Sequence, residues 1–442
     1  MQASIDIKSL YSDYVKTLET YIMFRIKQEM TRLTPELKAK NRAPINLSIG
    51  APTQAPPEYV INALKNCLNE QGIHSYSVPK GEMFFCEAVA ERMKKRFGVE
   101  VDPKTEVFSL VGSKEGLAHM FRCLINPTLN EQEQENEFAL QTGKAGFSVL
   151  TPASQQDIIM IPDPGYASYK EQIKVSGGKA YSIPLNYDNN FMPDMKDLMK
   201  KLESEGFSPS KVKAIVINYP NNPLGATSTR EYLKSIVDFC RERNILLISD
   251  AAYCDMYFGD QEAPASILEF EGAKDIAIEF HSLSKPYSMT GWRMGWACGN
   301  KDAVDILGKL KSTVDTGVFK AIQKAAAEIL VSEEGDEYIK QANQLYQRKQ
   351  EILAKGFKEL GWDIDNLIIP KATFYLWLPV PPRFNNCEEF CQKLMEVSGV
   401  VAVPGTGFGD YGEGFFRLSI VAEDDDLYKV IERMKEDGFI WG

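Results

Sequence analysis

The chain has 442 residues, 44% hydrophobic and 25% charged, with a formal net charge of −11. That length exceeds one ordinary core and predicts a large and a small domain. The acidic balance lacks any basic block and argues against a nucleic-acid surface, and no run of about twenty apolar residues offers a membrane span.

Eight cysteines are scattered, mostly among apolar neighbours, as free thiols are in a reducing compartment. Cys387 and Cys391 lie one helical turn apart, yet His74, His119 and His281 are the only histidines and complete no metal set. No metal is expected. The N-terminus is polar and acidic, not a secretion signal, so a cytoplasmic location is expected.

In chain order, the first forty or so residues read as a helical arm that feeds a strand at Ile45–Ile49. Val107–Val111 is strand-like, and Lys114–Ile125 has helical periodicity. Asn130–Gln156 is long, acidic at first and aperiodic. Short apolar runs follow at Ile158–Ile161, Ala180–Pro184, Ala214–Asn218 and Ile245–Ser249, with polar helical stretches between them such as Ser228–Arg243. Asp275–Phe280 reads as a buried strand, and Trp292–Cys298 is apolar again. This rhythm predicts an α/β fold with a mostly parallel sheet and helices on both faces, where ligands bind beyond the strands' carboxyl ends. From about Phe319 to Leu360 the chain is helix-rich. A strand (Phe374–Leu378), a helix (Cys387–Val397), two strands (Val400–Val403, Phe415–Ile420) and a last helix (Asp424–Asp437) then suggest a smaller α+β domain. The expected division is 1–45 as an arm joined to the small domain, 46–330 as the large domain with 130–156 inserted, and 331–442 as the small domain.

Chemistry-bearing residues fall at the predicted strand ends. Gly112-Ser113-Lys114 opens a helix, where backbone N–H groups and a hydroxyl make an anion site, or where Ser113 is an ordinary cap. Pro162-Asp-Pro-Gly165-Tyr166 is a turn presenting an aromatic ring. Tyr219-Pro-Asn-Asn222-Pro-Leu-Gly225 fixes a tight turn and offers the Asn222 amide. Asp250 ends an apolar strand, with Tyr253 beyond it; a carboxylate there is costly unless paired. Arg417, inside the apolar Phe415–Ser419, needs a carboxylate from the protein or from a ligand.

Ser282-Leu-Ser-Lys285-Pro-Tyr-Ser-Met-Thr-Gly-Trp-Arg293 places an amine in a polar loop after a core strand. A desolvated lysine has a lowered pKa and attacks carbonyls, while serine and arginine nearby can hold a phosphate. Ser282-x-x-Lys285 also matches the nucleophile motif of penicillin-recognising enzymes, but the Lys-Thr-Gly partner is missing. Gly405-Thr-Gly407-Phe-Gly409 lacks dinucleotide-binding spacing. An amine, a phosphate cradle, a flat ring, a carboxylate, an amide and an arginine together suit pyridoxal phosphate.

In these motifs, from about Ile45 to Ile420, the sequence resembles the class I/II aminotransferases, the fold-type I pyridoxal-phosphate enzymes. The resemblance implies that Lys285 is the Schiff-base lysine and general base. Asp250 would pair with the pyridine nitrogen, Tyr253 and Asn222 would hold the ring hydroxyl, and Tyr166 would stack on the ring. Gly112, Ser113, Lys114, Ser282 and Arg293 would surround the phosphate. Arg417, with Gly50 and Asn222, would take the substrate α-carboxylate. Tyr76, in Tyr-Ser-Val-Pro-Lys-Gly81, resembles the tyrosine that reaches the neighbouring subunit's phosphate, which implies a homodimer with shared active sites. An L-amino acid and a 2-oxo acid, with 2-oxoglutarate as the expected acceptor, would be the small-molecule partners. Gly112-Ser-Lys-Glu-Gly116, Thr373-Phe-Tyr-Leu-Trp377 and Pro404-Gly-Thr-Gly-Phe-Gly409 are similar to LL-diaminopimelate aminotransferases. Leu224, where the family usually has threonine, and the long 130–156 segment depart from the pattern. A lyase built on the same lysine, such as a carbon–sulfur lyase, and aminotransferases for aspartate, alanine or aromatic amino acids are the alternatives. A regulatory domain would need a basic N-terminal DNA-binding module, which the first forty residues do not provide.

Overall fold

The computed structural model describes residues 10–16, 18–126, 156–259, 261–367, 369 and 371–442. The 130–156 segment lies outside them except for Gln156. Twelve strands are numbered in chain order. They are β1 (Ile45–Asn46), β2 (Val107–Leu110), β3 (Ile158–Asp163), β4 (Lys179–Pro184), β5 (Val212–Ile217), β6 (Leu246–Asp250), β7 (Ala277–Ser282), β8 (Gly295–Gly299), β9 (Tyr375–Pro379), β10 (Val400–Val401), β11 (Val403–Pro404) and β12 (Phe415–Ser419).

Seven of these form the central sheet, in the order β2-β8-β7-β6-β5-β3-β4. Pairing is parallel from β7 through β6, β5 and β3 to β4, while β8 runs antiparallel to both β7 and β2. Strands buried on both faces read as continuous apolar runs, as β5 and β6 do. Helices cover both faces. On one side Met120, Phe121 and Tyr169 pack with Ile159, Val216 and Ile248, and on the other Val89, Met93 and Ile236 pack with Met160, Ile215 and Leu247. The expected α/β architecture is therefore present.

The antiparallel strand has a consequence for the chemistry. Ser282 at the end of β7 pairs with Gly295 at the start of β8, and Gly295 also pairs with Leu110 at the end of β2. One row of the sheet thus brings together the exits of β7 and β2 and the entry of β8. Residues just beyond that row, from Gly112 to Arg293, meet at the carboxyl edge.

The expected strand at Asp275–Phe280 is shifted. Gly272 has φ +77°, and Ala273–Ile276 wind into a short helical turn in which Asp275 N–H donates to the Gly272 carbonyl at 3.1 Å. Strand pairing begins only at Ala277, opposite Leu247, and carries on through Ser282 because β8 is there to receive it. Ser282 is therefore a strand end rather than a loop residue.

A second apolar cluster surrounds a three-stranded antiparallel sheet, β11-β12-β9, with Phe374, Phe390, Leu418, Leu427 and Met434 at its centre. The single strand expected at Val400–Val403 divides at Ala402. β10 pairs with β1, and β11 pairs with β12. The strand expected at Ile45–Ile49 is ladder-paired only at Ile45–Asn46. The chain then runs on beside β12, whose Ser419 N–H donates to the Leu47 carbonyl at 2.7 Å, and delivers Gly50 to the sheet edge. The 27-residue helix Glu333–Glu359 starts where Ser332 Oγ accepts from Gly335 N–H, and it packs on the C-terminal helix Asp424–Glu436. Among the described residues no helix is long and apolar enough to cross a membrane, and no cluster of His, Cys, Asp or Glu could hold a metal.

Candidate active site

A cavity of about 360 Å³ lies at the carboxyl edge of the central sheet. Gly50, Ser113, Lys114, Tyr166, Asn222, Asp250, Tyr253, Ser282, Lys285, Arg293 and Arg417 all line it. Residues from seven separate segments converge there. Gly112 supports the cavity from behind: a Cβ at that position would sit 2.5 Å from Arg293 Nη2. Tyr76 is absent from the lining and is 85% exposed. A larger cavity of about 990 Å³ adjoins the first and shares Tyr21, Lys114, Tyr166 and Phe408 with it. It lacks Lys285, Asp250 and Arg417.

The lysine is placed by β7. Its Nζ donates to the Gly50 carbonyl at 2.5 Å and lies 5.7 Å from the centre of the Tyr253 ring and 5.8 Å from that of Phe374. Burial lowers its pKa from 10.5 to about 8, helped by the positive charges of Arg417 and Arg293 and opposed by Asp250. An amine in that condition is a nucleophile near neutral pH.

Asp250 is the last residue of β6 and is buried. It has no cationic partner within salt-bridge distance among the described residues. Its Oδ2 accepts a hydrogen bond from Tyr169 at 2.5 Å, and Oδ1 accepts only a long one, 3.4 Å, from Ala252 N–H. Burial raises its pKa, while the Tyr169 and Ala252 hydrogen bonds lower it. A carboxylate with one oxygen so weakly engaged suits a cationic N–H in the cavity.

The anion end is built around the helix Ser113–Leu124. Gly112 caps it at φ +87°, a conformation costly for other residues, and turns the first amides toward the cavity. Glu115 fixes this turn: its Oε2 accepts from Val111 N–H at 3.1 Å, and its Oε1 meets the fully buried Lys311 at 2.8 Å. Arg293 closes the cup. Its guanidinium donates to carbonyls, Val111 at 2.9 Å and Thr290 at 2.9 Å, and has no carboxylate partner among the described residues. Ser282 Oγ accepts from Ser284 N–H at 3.2 Å, leaving its own O–H to donate. The Lys114 ammonium lies 5.2 Å from the Tyr21 ring centre and 5.8 Å from that of Tyr166.

Arg417 faces this cup across the cavity. It is 2% exposed, and its partners are neutral: Asn222 Oδ1 at 3.0 Å and the Ser48 carbonyl at 2.8 Å. Its Nε has no hydrogen-bond partner among the described residues, and its guanidinium lies 4.3 Å from the Tyr375 ring centre and 4.7 Å from that of Phe408. Because Arg417 occupies the Asn222 carbonyl, the amide NH₂ is what Asn222 offers the cavity. Tyr253 O–H and Tyr375 O–H share a 2.9 Å hydrogen bond, and Tyr375 O–H would be 2.9 Å from a Cβ on Gly50.

Tyr169, Tyr375, Tyr21 and Phe408 were not among the residues singled out from sequence. The signal available was weak. Tyr169 stands three residues after Tyr166, the spacing of one helical turn, and Tyr375 lies in the Thr373–Trp377 motif. Leu224 is buried in the main core, so this departure from the family pattern is a packing residue and not a lining one.

The model of the family described as aminotransferase class I and II matches residues 42–130 and 140–434. The LL-diaminopimelate aminotransferase of Halothermothrix orenii is 36% identical over 424 residues, covering 96% of this chain and 97% of its own. LL-diaminopimelate aminotransferase 2 of a Nostoc species is 39% identical over 411 residues, covering 93% and 95%. Substrate-bound BacF from Bacillus subtilis superposes with a TM-score of 0.83 at 30% identity, over 96% of this chain and 97% of that one. With this cavity and these matches along nearly its whole length, the chain belongs to the class I and II aminotransferases.

Proposed function

We propose that the chain holds pyridoxal 5′-phosphate at Lys285 and moves an amino group from LL-diaminopimelate to a 2-oxo acid, with 2-oxoglutarate as acceptor. The observation that carries this reading is Arg417. A buried guanidinium with only neutral partners among the described residues is costly unless a ligand carboxylate completes it, and it lines the same cavity as an amine of lowered pKa. The names of the relatives support the choice of donor.

The residues present fit the cofactor. Ser113, Ser282, Arg293 and the first amides of the Ser113–Leu124 helix would hold its phosphate, and Gly112 leaves room for Arg293. Asp250 would pair with the ring nitrogen, Tyr166 would cover the ring, and Asn222 and Tyr253 would reach the ring oxygen. When bound, pyridoxal phosphate supplies an aldehyde that links to amines and a ring that accepts the electron pair released at the substrate Cα. The chain's own groups do the rest. Arg417 binds the α-carboxylate and fixes which bond of Cα faces Lys285. Lys285, neutral above about pH 8, takes the proton from Cα and returns it. Tyr21, Phe408 and Tyr375 narrow the space around the carboxylate and exclude water.

The dimer is part of the proposal. Tyr76, Val78, Met83 and Phe319 are exposed, and Phe319 stacks with His74 beside the same loop, forming an apolar surface suited to a second copy. Tyr76 would then reach the partner's phosphate site.

A panel of amino donors with 2-oxoglutarate, read by glutamate formed, tests the substrate. LL-diaminopimelate should show the highest kcat/KM. A higher value for aspartate, alanine or an aromatic donor would refute the proposed donor, and no glutamate with any of them would refute the transfer.

A further inference from the structure

Asp250 is a buried carboxylate at the floor of the cavity, and a buried charge is stable only where hydrogen bonds or opposite charge compensate it. Among the described residues, the one short hydrogen bond to its carboxylate comes from Tyr169. Tyr169 is completely buried in the first turn of the helix Ser168–Val175. Its ring meets Tyr166 edge-on, with centroids 5.5 Å apart and planes at 81°. It meets Phe121, in the helix that carries the anion cup, at 6.5 Å and 88°. One side chain therefore touches the carboxylate, the ring that covers the cavity and the helix behind the cup.

We propose that Tyr169 is a positioning residue that fixes the orientation and ionisation of Asp250 and so sets how firmly a heteroaromatic nitrogen is held protonated in this cavity. The inference rests on the pyridoxal-phosphate reading above. A phenol donates a single proton, so Tyr169 occupies Oδ2 and leaves Oδ1 for the cavity. The direction of the exchange is fixed, because burial and the neighbouring Asp250 charge raise the Tyr169 pKa well above 10 and keep it a donor at working pH. The flanking rings lock the hydroxyl in place, so the carboxylate cannot turn without breaking the bond.

Tyr169→Phe removes the hydroxyl and keeps the ring. The expected results, against wild type, are a dissociation constant for pyridoxal phosphate raised about tenfold or more. The ¹⁵N shift of ring-labelled cofactor should move toward the unprotonated value. kcat should fall with the amino-donor KM little changed, and the cofactor-free protein should melt close to wild type. Asp250→Asn should show a larger change in the same ¹⁵N shift, and adding Tyr169→Phe to it should produce no further change. An unchanged ¹⁵N shift and cofactor affinity in Tyr169→Phe, with Asp250→Asn affected, would overturn the role of Tyr169 alone. Additive effects in the double variant would also overturn it, since Tyr169 would then act independently of Asp250. No response to Asp250→Asn, or no cofactor binding by wild type, would overturn the underlying reading with it.

Discussion

The Lys285 amine sits under opposing influences. Burial, Arg417 and Arg293 disfavour its charged form, and Asp250 favours it, with a net pKa of about 8. Only the neutral amine attacks a carbonyl, so lowering the pKa extends its reactivity downward in pH. In the cofactor-free protein, the rate of capture of pyridoxal phosphate should rise as pH increases through about 8 and level off above it. Stopped-flow absorbance between pH 6.5 and 10 checks this; a rate still climbing at pH 10 would show an ordinary lysine. Arg417 carries the second prediction at this scale. Arg417→Gln should lower kcat/KM for amino donors on the order of a hundredfold, about 3 kcal/mol, through loss of a buried charge pair with the α-carboxylate. Arg417→Lys should fall between, because an ammonium keeps the charge but not the fork. The residues that carry these effects were legible in sequence because a charge in an apolar strand or beside one is unusual. Tyr169 and Tyr375 were not, because an aromatic residue in an apolar stretch reads first as core, and only the folded chain shows their hydroxyls meeting Asp250 and Tyr253.

Between elements, backbone approaches backbone closely at Gly295, beside the cup. A Cβ there would lie 2.5 Å from the His281 carbonyl oxygen and 3.2 Å from Ser113 N, both backbone atoms that cannot swing aside. Gly295→Ala should therefore destabilise the chain by about 1–3 kcal/mol and weaken cofactor binding by displacing the cup. Gly291, in the turn just before β8 with nothing within 4 Å of its Cβ position, is the control, and its alanine variant should melt like wild type. Thermal melts of the two variants decide the matter. The order of strands and helices was readable because apolar runs alternate with helical periodicity. Strand ends were less so, since they depend on where a neighbour stops. Asp275 and Ile276 look strand-like alone, but no partner residue faces them until Ala277 meets Leu247. The same holds for Val400–Val403, where one apolar run serves two sheets.

At the scale of the whole molecule, Tyr76 stands exposed and outside the cavity, and the proposed dimer would bring it to the partner's site. If sites are shared between copies, mixing Lys285→Ala with Tyr76→Ala chains should create hybrids that hold one intact site. Activity should then exceed that of either variant alone; a mixture no better than its components would refute a shared site. The central claim is that Lys285 moves an amino group between two carbon skeletons. The most direct measurement follows ¹⁵N from the amino group of LL-diaminopimelate, with 2-oxoglutarate present, by mass spectrometry. The account predicts label in glutamate over many turnovers with the wild-type chain and none beyond a single turnover with Lys285→Ala. Label released as ammonium, or sustained transfer by Lys285→Ala, would contradict it.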